Sequence, residues 1–199
     1  MPDQDKKALV PRKRSVPAKV SKRIPTPETL ALVAKIRKLT PASARQYFRD
    51  LQGSTVDLSA APLQGLLLSG IQLLGATLVQ TAFNDSDLTG GDLRGSFGPQ
   101  FGGANGRFVG VNFTGMDLRE AVFTNADLTG AKFIQCNLMN TIFTGANIRK
   151  TNFAGANLTG AFLTAVRNYQ TAIFEYATMT GTLFSPGVEE IILAKTIPR

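Results

Sequence analysis

Residues 111–165 read VNFTG MDLRE AVFTN ADLTG AKFIQ CNLMN TIFTG ANIRK TNFAG ANLTG AFLTA when they are divided into fives. The third residue of each unit, here called its centre, is large and apolar, and the residue two positions earlier is mostly small. The same phase continues upstream to Leu58. A period of five fits neither an α-helix nor a simple β-strand, so it predicts a solenoid whose units bury one face against their neighbours.

With so many units in one phase, the stretch resembles the pentapeptide-repeat proteins, whose pattern is roughly A-(D/N)-L-x-x, over about two-thirds of the chain. The resemblance implies a right-handed four-sided β-helix with one pentapeptide per side and four per coil. The expected fold class is therefore all-β, with short N-terminal helices and a C-terminal capping helix. Members of this family do different things, so the resemblance implies no single function.

Four units per coil would stack residues that are twenty positions apart. One column of centres then contains Phe123 and Phe143, and the opposite column contains Phe133, Phe153 and Ile173. The other two columns are mainly Leu, so the core Phe residues, apart from Phe108, are predicted to lie on two opposite walls. Cys136, at one of the small positions, is predicted to be a buried free thiol.

The composition argues against an enzyme. The 199 residues include no His and one Cys, which excludes a Cys–His nucleophile and a disulfide framework within the monomer. The carboxylates are dispersed and no P-loop or dinucleotide fingerprint is present. We therefore expect no catalytic residue, no metal, no cofactor and no small-molecule substrate. No stretch resembles a signal peptide or a transmembrane helix, so the expected location is cytoplasmic.

The net charge of +8 belongs to the N-terminal segment. Residues 1–50 hold 13 Lys and Arg against 4 Asp and Glu, a net of +9, whereas residues 51–199 hold 9 against 10. Residues 1–25 form a basic, Pro-rich arm, which is either a solvated tail or an anchor for an acidic partner such as nucleic acid, an anionic protein surface or a membrane surface. The anchor residues would be Lys6, Lys7, Arg12, Lys13, Arg14, Lys19, Lys22 and Arg23.

Residues 26–52 are predicted to form two short helices. Thr26 and Thr40 are good N-caps, each followed by Pro at the first helical position. The first helix is predicted to run to about Leu39 and to bury Leu30, Val33, Ile36 or Leu39. The second is predicted to run to about Leu51 and to cap the solenoid of residues 53–185. Residues 186–199 are predicted to form a capping helix, over 188–195, and a tail at the far end.

The repeat is interrupted at residues 96–107. Gly98 and Gly103 occupy centre positions, whereas Phe97 and Phe101 fall out of phase. The predicted structure is a loop that leaves the coil, and the Phe pair makes it a candidate binding loop as well as a tolerated insertion. The sequence leaves open whether these two units stay in the wall or bulge out.

One wall carries an unusual outward face. The residue before each centre should point outward, and on three walls it is often Asp or Asn. On the fourth wall it is Val122, Ile142 and Phe162, with Thr124, Thr144 and Thr164 just after the centres. β-Branched residues suit strands, but that preference does not explain why the other walls lack them. Three aligned apolar residues form a patch, so this wall is predicted to contact a protein, either a second copy or a larger assembly.

Three functional hypotheses follow. The first is a non-catalytic protein-binding scaffold or structural component, with the basic arm as an anchor. The second, from the resemblance, is a DNA-mimicking modulator of DNA gyrase or topoisomerase like the quinolone-resistance proteins. Residues 56–185 weaken it because they hold 8 acids against 7 bases, which gives no strongly negative surface. The third is a nucleic-acid or membrane-surface tether acting through the arm.

Overall fold

The computed structural model describes residues 23–51 and 56–197. Its elements in chain order are helix α1 (Pro27–Ile36), helix α2 (Pro41–Asp50), strand β1 (Phe162–Leu163), a 3₁₀ turn (Tyr169–Thr171), strand β2 (Leu183–Phe184) and helix α3 (Glu189–Leu193). From residue 57 to residue 178, single bridging residues alternate with tight turns every five positions. β1 pairs in parallel with β2 at the end of this array.

The array is the predicted right-handed four-sided β-helix. Up to Asn147, each outward residue forms a parallel bridge with the residue twenty positions later, as in Val122 with Ile142 and Ile142 with Phe162. The hydrogen bonds follow the same spacing: Leu58 N–H donates to the Thr77 carbonyl oxygen at 2.8 Å, and Thr77 N–H donates to Val56 at 2.9 Å. Four bridges per twenty residues give four walls, and each coil forms one rung of every wall.

The predicted opposed Phe walls are confirmed. Phe133 and Phe153 stack with ring centroids 5.3 Å apart, and Phe123 and Phe143 stack at 5.6 Å on the opposite side. Rings from the two walls meet edge to face, as in Phe133 with Phe143 at 5.8 Å and 85°. All four rings are fully buried. From Phe83 to Phe174 the solenoid core is thus a continuous aromatic stack flanked by Leu.

Polar side chains at the small inward positions are satisfied by the coil before them. Thr141 Oγ1 donates to the Leu118 carbonyl oxygen at 2.9 Å, and Thr151 Oγ1 donates to Leu128 at 2.8 Å. Cys136 follows the same pattern, since its Sγ donates to the Phe113 carbonyl oxygen at 2.9 Å. The prediction of a buried free thiol is confirmed. Burial raises the pKa of Cys136 to about 12.

The interpretation of residues 96–107 as a loop is wrong, and of the two alternatives left open by the sequence the structure shows the one in which both units stay in the wall. Phe97 bridges to Thr77 and Asp117, and Gly102 bridges to Ala82, so the ladder is unbroken. Phe101 is fully buried and stacks on Phe83 with centroids 5.2 Å apart.

The glycines of this segment make room for rings from neighbouring positions. A Cβ on Gly103 would lie 2.9 Å from the Phe108 ring and 3.0 Å from the Phe123 ring. Phe101 therefore supplies from the small inward position the volume that Gly103 lacks at the centre. Phe101 and Phe108 together keep the interior filled, so the segment is well packed when it stays in the wall.

A second correction concerns the register after residue 168. The 3₁₀ turn adds one residue, so Asn152 bridges to Ile173, which is twenty-one positions later. Ile173 was predicted to be a core centre but is 40% exposed, and Phe174 is the buried residue. The Phe174 ring stacks on Phe153 at 5.0 Å, which continues the aromatic column.

The N-terminal helices begin as predicted, because Thr26 and Thr40 accept the N–H groups of Thr29 and Ser43. α1 ends at Ile36 rather than near Leu39. Of the predicted candidates for its buried face, Val33 and Ile36 are buried together with Thr29, whereas Leu30 is 47% exposed. α2 buries Ala44 and Phe48 in the same core.

Both helices contact the first coil. Arg37 Nη2 donates to the Pro62 carbonyl oxygen at 2.7 Å, and Arg45 Nη1 donates to the Ser69 carbonyl oxygen at 3.0 Å. In the next coil, the equivalent oxygens of Ala82 and Thr89 accept from backbone N–H groups of the first coil. The two arginine side chains thus take the place of the backbone N–H donors that a preceding coil would supply to the first rung.

The far end is covered by α3 and the residues after it. Ile192 is fully buried, and Lys195 Nζ donates to the carbonyl oxygens of Tyr169, Gln170 and Ala172. The Tyr176 N–H donates to the Thr196 carbonyl oxygen at 2.9 Å. The prediction placed this helix at residues 188–195, whereas α3 spans Glu189–Leu193.

Candidate functional site

The predicted outward stripe is present, and we call it the contact wall. Val122, Ile142 and Phe162 bridge one another on successive rungs, and each is half-buried. Their inward neighbours Phe123, Phe143 and Leu163 are fully buried, so the alternation predicted from the sequence is correct at these positions.

The contact wall is longer than the sequence reasoning proposed. The bridges extend the outward row to seven rungs: Pro62, Ala82, Gly102, Val122, Ile142, Phe162 and Leu183. The first three were missed although the twenty-residue spacing already contained them. Leu183 was not predictable in the same way, because the extra residue in the 3₁₀ turn shifts its register. None of the seven side chains carries a polar atom.

A polar row runs beside the apolar one. Thr144 Oγ1 and Thr164 Oγ1 are 2.9 Å apart, so two of the three predicted threonines hydrogen-bond to each other. Thr124 occupies the rung below and is half-buried. Asn84 Oδ1 accepts the Ala104 N–H at 2.9 Å, and Ser185 Oγ accepts the Ala165 N–H at 2.7 Å. The row therefore offers hydroxyl and amide groups, with no charge at these positions, along the edge of the apolar stripe.

The opposite wall, called the polar wall, has the outward residues Gln72, Asp92, Asn112, Lys132, Asn152 and Ile173, of which Ile173 alone is apolar. Asn152 Oδ1 accepts the Ala154 N–H at 2.9 Å, and Asn112 Oδ1 accepts both the N–H and the hydroxyl of Thr114. Burial acts to raise the pKa of Asp92, but the hydrogen bonds from Arg94 outweigh it and the pKa is lowered. Val, Ile and Phe cannot accept such bonds, so the contact wall lacks this local stabilisation.

A groove borders the lower rungs of the contact wall. It has a volume of about 520 Å³, and Arg23, Pro25, Pro62 and Ala82 contribute to its lining. The Arg23 N–H donates to Gln80 Oε1, which fixes the chain beside the second rung. From there a side-chain ladder follows the corner: Gln80 Nε2 donates to Gln100 at 2.6 Å, and Gln100 Nε2 donates to Glu120 at 2.8 Å.

The structure does not bring Phe97 and Phe101 together as a binding pair. Phe101 lies in the core, whereas Phe97 points outward on another wall and is 47% exposed. Phe97 borders a shallow groove of about 410 Å³ with Pro99 and Arg119.

Of the eight predicted anchor residues, Arg23 is described and exposed. The other seven lie outside the described residues: Lys6, Lys7, Arg12, Lys13, Arg14, Lys19 and Lys22. The anchor therefore stays a prediction.

The described residues contain no group of three or more Cys, Asp or Glu placed to hold a metal ion. Within residues 23–51 and 56–197, no helix is long and apolar enough to cross a membrane.

The family model described as pentapeptide repeats matches the chain with eight copies, over residues 57–95, 107–145 and 133–164. These ranges coincide with coils seen in the structure, and the unmatched interval 96–106 is the segment where Phe101 and Gly103 exchange roles. A comparison with curated protein sequences gives no significant match.

Solved structures with similar coils include full-length QnrB1, a plasmid-mediated fluoroquinolone resistance protein. It is 19% identical, with 71% of this chain and 83% of that chain covered and a TM-score of 0.44. A pentapeptide repeat protein from the thylakoid lumen of Arabidopsis thaliana is 28% identical, with coverage of 67% and 78% and a TM-score of 0.42. HetL, a heterocyst-differentiation protein from a Nostoc cyanobacterium, is 18% identical, with coverage of 69% and 90% and a TM-score of 0.21.

Proposed function

Because the chain belongs to the pentapeptide-repeat family, we propose that it is a non-catalytic scaffold or structural component of a larger assembly that binds a protein through the contact wall. The observation that carries the proposal is the alignment of Val122, Ile142 and Phe162 on successive rungs, half-buried and without polar atoms. The expected site of action is the cytoplasm.

Energetics support a binding role for this stripe. Asn or Asp at the same outward position accepts a backbone N–H, a bond worth about 1 kcal/mol. The apolar residues forgo that bond and leave hydrophobic surface in water, so the stability of the monomer favours the polar choice. A protein contact that removes Ile142 and Phe162 from water is favoured by the hydrophobic free energy of burying their side chains.

The direct test is the double substitution Ile142→Asp with Phe162→Asp, which places two charges in the stripe and leaves the buried centres unchanged. The variant should fold and should lose the proteins that co-purify with the wild type, or its self-association. The matched control is Asn112→Asp with Asn152→Asp, which adds two charges to the polar wall and keeps the acceptor oxygens. A folded contact-wall variant with unchanged oligomeric state and unchanged partners would exclude this wall as the interface.

The basic arm would serve as the anchor of this scaffold to an acidic partner. The supporting observation is the net charge of +9 in residues 1–50. Binding of the full chain to heparin, used as a polyanionic probe, should weaken with added salt and with removal of residues 1–25. Binding that survives both changes would exclude the anchor. Vesicles with and without anionic lipid, and duplex DNA, separate the membrane and nucleic-acid versions of the hypothesis.

The gyrase-modulator alternative gains no support from the charges of the solenoid, since residues 56–185 hold 8 acids against 7 bases. A supercoiling assay with DNA gyrase separates it from the scaffold. The scaffold hypothesis predicts unchanged supercoiling, and inhibition or protection of gyrase would favour the alternative.

A further inference from the structure

Resting on the proposed function, we infer that the protein bound by the contact wall is a second copy of this chain. The two solenoids pack wall against wall with antiparallel axes, related by a twofold axis that passes beside Val122. Shape, charge and the adjoining groove each point to this arrangement.

The outward residues change in size along the wall, and the change is suited to an antiparallel pair. Val122 is the fourth of seven rungs, with Gly102, Ala82 and Pro62 on one side and Ile142, Phe162 and Leu183 on the other. An antiparallel copy centred on Val122 places Ile142 opposite Gly102, Phe162 opposite Ala82 and Leu183 opposite Pro62.

A parallel pair would instead place Phe162 against Phe162 and Gly102 against Gly102. That packing combines a clash at one end with a void at the other. The antiparallel pair fills each small rung with a large one, which is the complementarity that stable interfaces show.

The groove beside the lower rungs adds depth where the large residues of the second copy would arrive. Its lining includes Pro62, Ala82, Pro25 and Gln64, and its volume is about 520 Å³. The hydrogen bond from Arg23 N–H to Gln80 holds the far side of the groove in place. Phe162 and Leu183 of the second copy face this groove, so each end of the dimer seats an aromatic and an aliphatic side chain.

The distribution of charge along the solenoid also favours antiparallel packing. Residues 56–127 hold seven acids and three bases, whereas residues 128–185 hold four bases and one acid. Antiparallel packing sets the acidic half of each copy beside the basic half of the other, and parallel packing sets like charges together.

One charge pair can be placed individually. Asp85 is exposed at the corner that borders the second rung, and Arg167 Nε donates to the Gly145 carbonyl oxygen at 3.1 Å, at the same corner near the fifth and sixth rungs. A twofold axis perpendicular to the rods keeps this corner facing itself, so Asp85 meets Arg167 at both ends. Glu120 lies level with Val122, and its bond from Gln100 turns it towards the rung below.

The buried area sets the strength of the dimer. Seven rungs spaced by about 4.8 Å, and a wall about 10 Å wide, give roughly 300 Å² per copy. A standard interface buries about 800 Å² per partner, so a weak dimer is expected.

Sedimentation equilibrium of the full chain from about 1 µM to about 1 mM tests the dimer. Ile142→Asp with Phe162→Asp should weaken dimerisation at least about 30-fold, and Asn112→Asp with Asn152→Asp should leave it within about twofold. Asp85→Arg and Arg167→Asp should each weaken it about threefold to tenfold, and the double reversal should restore it. A wild-type monomer at about 1 mM would overturn the inference, while the co-purification test would still decide the proposed function.

Cross-linking tests the antiparallel register. A bismaleimide linker of about 8 Å should join Val122→Cys to itself, since facing sheets lie about 10 Å apart. Ala82→Cys alone should stay unlinked, because its two copies lie four rungs or about 19 Å apart, whereas Ala82→Cys mixed with Phe162→Cys should link. The native Cys136 is buried and adds no background. Self-linking of Ala82→Cys as efficient as that of Val122→Cys would overturn the antiparallel arrangement.

Discussion

The contact wall and the polar wall have the same coiled backbone and differ most in what they present outward. Both have buried Phe at the centres of the same coils, Phe143 on one and Phe153 on the other, and both form parallel bridges every twenty residues. The outward residue of this coil is Ile142 on the contact wall and Asn152 on the polar wall. The comparison shows that the inward residues and the corners determine the fold, whereas the outward residues are free to carry binding.

The largest effects are expected at the inward positions, where the two walls should behave alike. Phe133→Ala on the polar wall removes a ring that stacks on Phe113 and Phe153. Phe143→Ala on the contact wall removes a ring that stacks on Phe123 and meets Phe133 and Phe153 edge to face. Each should lower the free energy of unfolding by about 3–5 kcal/mol. Urea unfolding followed by circular dichroism measures this, and a stable variant on either wall would mean that the ring there is not in the core.

The segment 96–107 allows the same inward and outward comparison within one turn. Phe101→Ala should destabilise the protein by about 3–5 kcal/mol, because this ring contacts Phe83, Phe113 and Phe123. Phe97→Ala, at an exposed position, should change stability by about 0.5 kcal/mol or less. Equal, small effects of the two substitutions would restore the interpretation of this segment as a loop.

A smaller loss is expected at the glycine that makes room for these rings. Gly103→Ala would place a Cβ 2.9 Å from the Phe108 ring, and overpacking of this kind costs about 1–3 kcal/mol. Gly110→Ala is a useful contrast, since it has no atom within 4 Å of the added Cβ, and its cost comes from a positive φ of 67° alone. A melting temperature unchanged by Gly103→Ala would show that the layer is loosely packed.

The burial of the interior that both walls share should also slow the alkylation of the single thiol, Cys136. Since burial raises the pKa of Cys136 to about 12, the folded protein should react with iodoacetamide far more slowly than the urea-unfolded protein at pH 8. The unfolded thiol ionises near its ordinary pKa while the folded thiol stays protonated. Its contribution to stability is therefore complete below about pH 9 and declines towards pH 12. Equal alkylation rates in the two states would contradict the burial.

The regular coils could be predicted because the side chain at each centre fills its own part of the core. The positions of Phe123, Phe133 and Phe143 in the sequence are therefore enough to identify the walls. Residues 96–107 could not, because the ring that fills the centre of Gly103 comes from Phe101, and only the packing reveals the exchange. The shift that buries Phe174 instead of Ile173 depends on one extra residue in a short turn.

Part of the contact wall was predictable from the twenty-residue spacing, and part was not. Val122, Ile142 and Phe162 stand out by size, but Gly102 and Ala82 become informative only when they are seen as recesses on the same wall. The groove beside them depends on where Arg23 and Pro25 lie, which no local pattern encodes.

The central claim is that the contact wall, and no other wall, carries the protein contact. The most direct measurement compares three variants, each with one negative charge added to a different wall of the same coil. Asn137→Asp, Ile142→Asp and Asn152→Asp each add one negative charge and face three different directions, and Ile142→Asp alone also removes an apolar side chain. Sedimentation equilibrium should show self-association reduced about tenfold or more by Ile142→Asp and left within about twofold by the other two. Equal losses in all three, or a loss in Asn152→Asp with Ile142→Asp unaffected, would contradict the account.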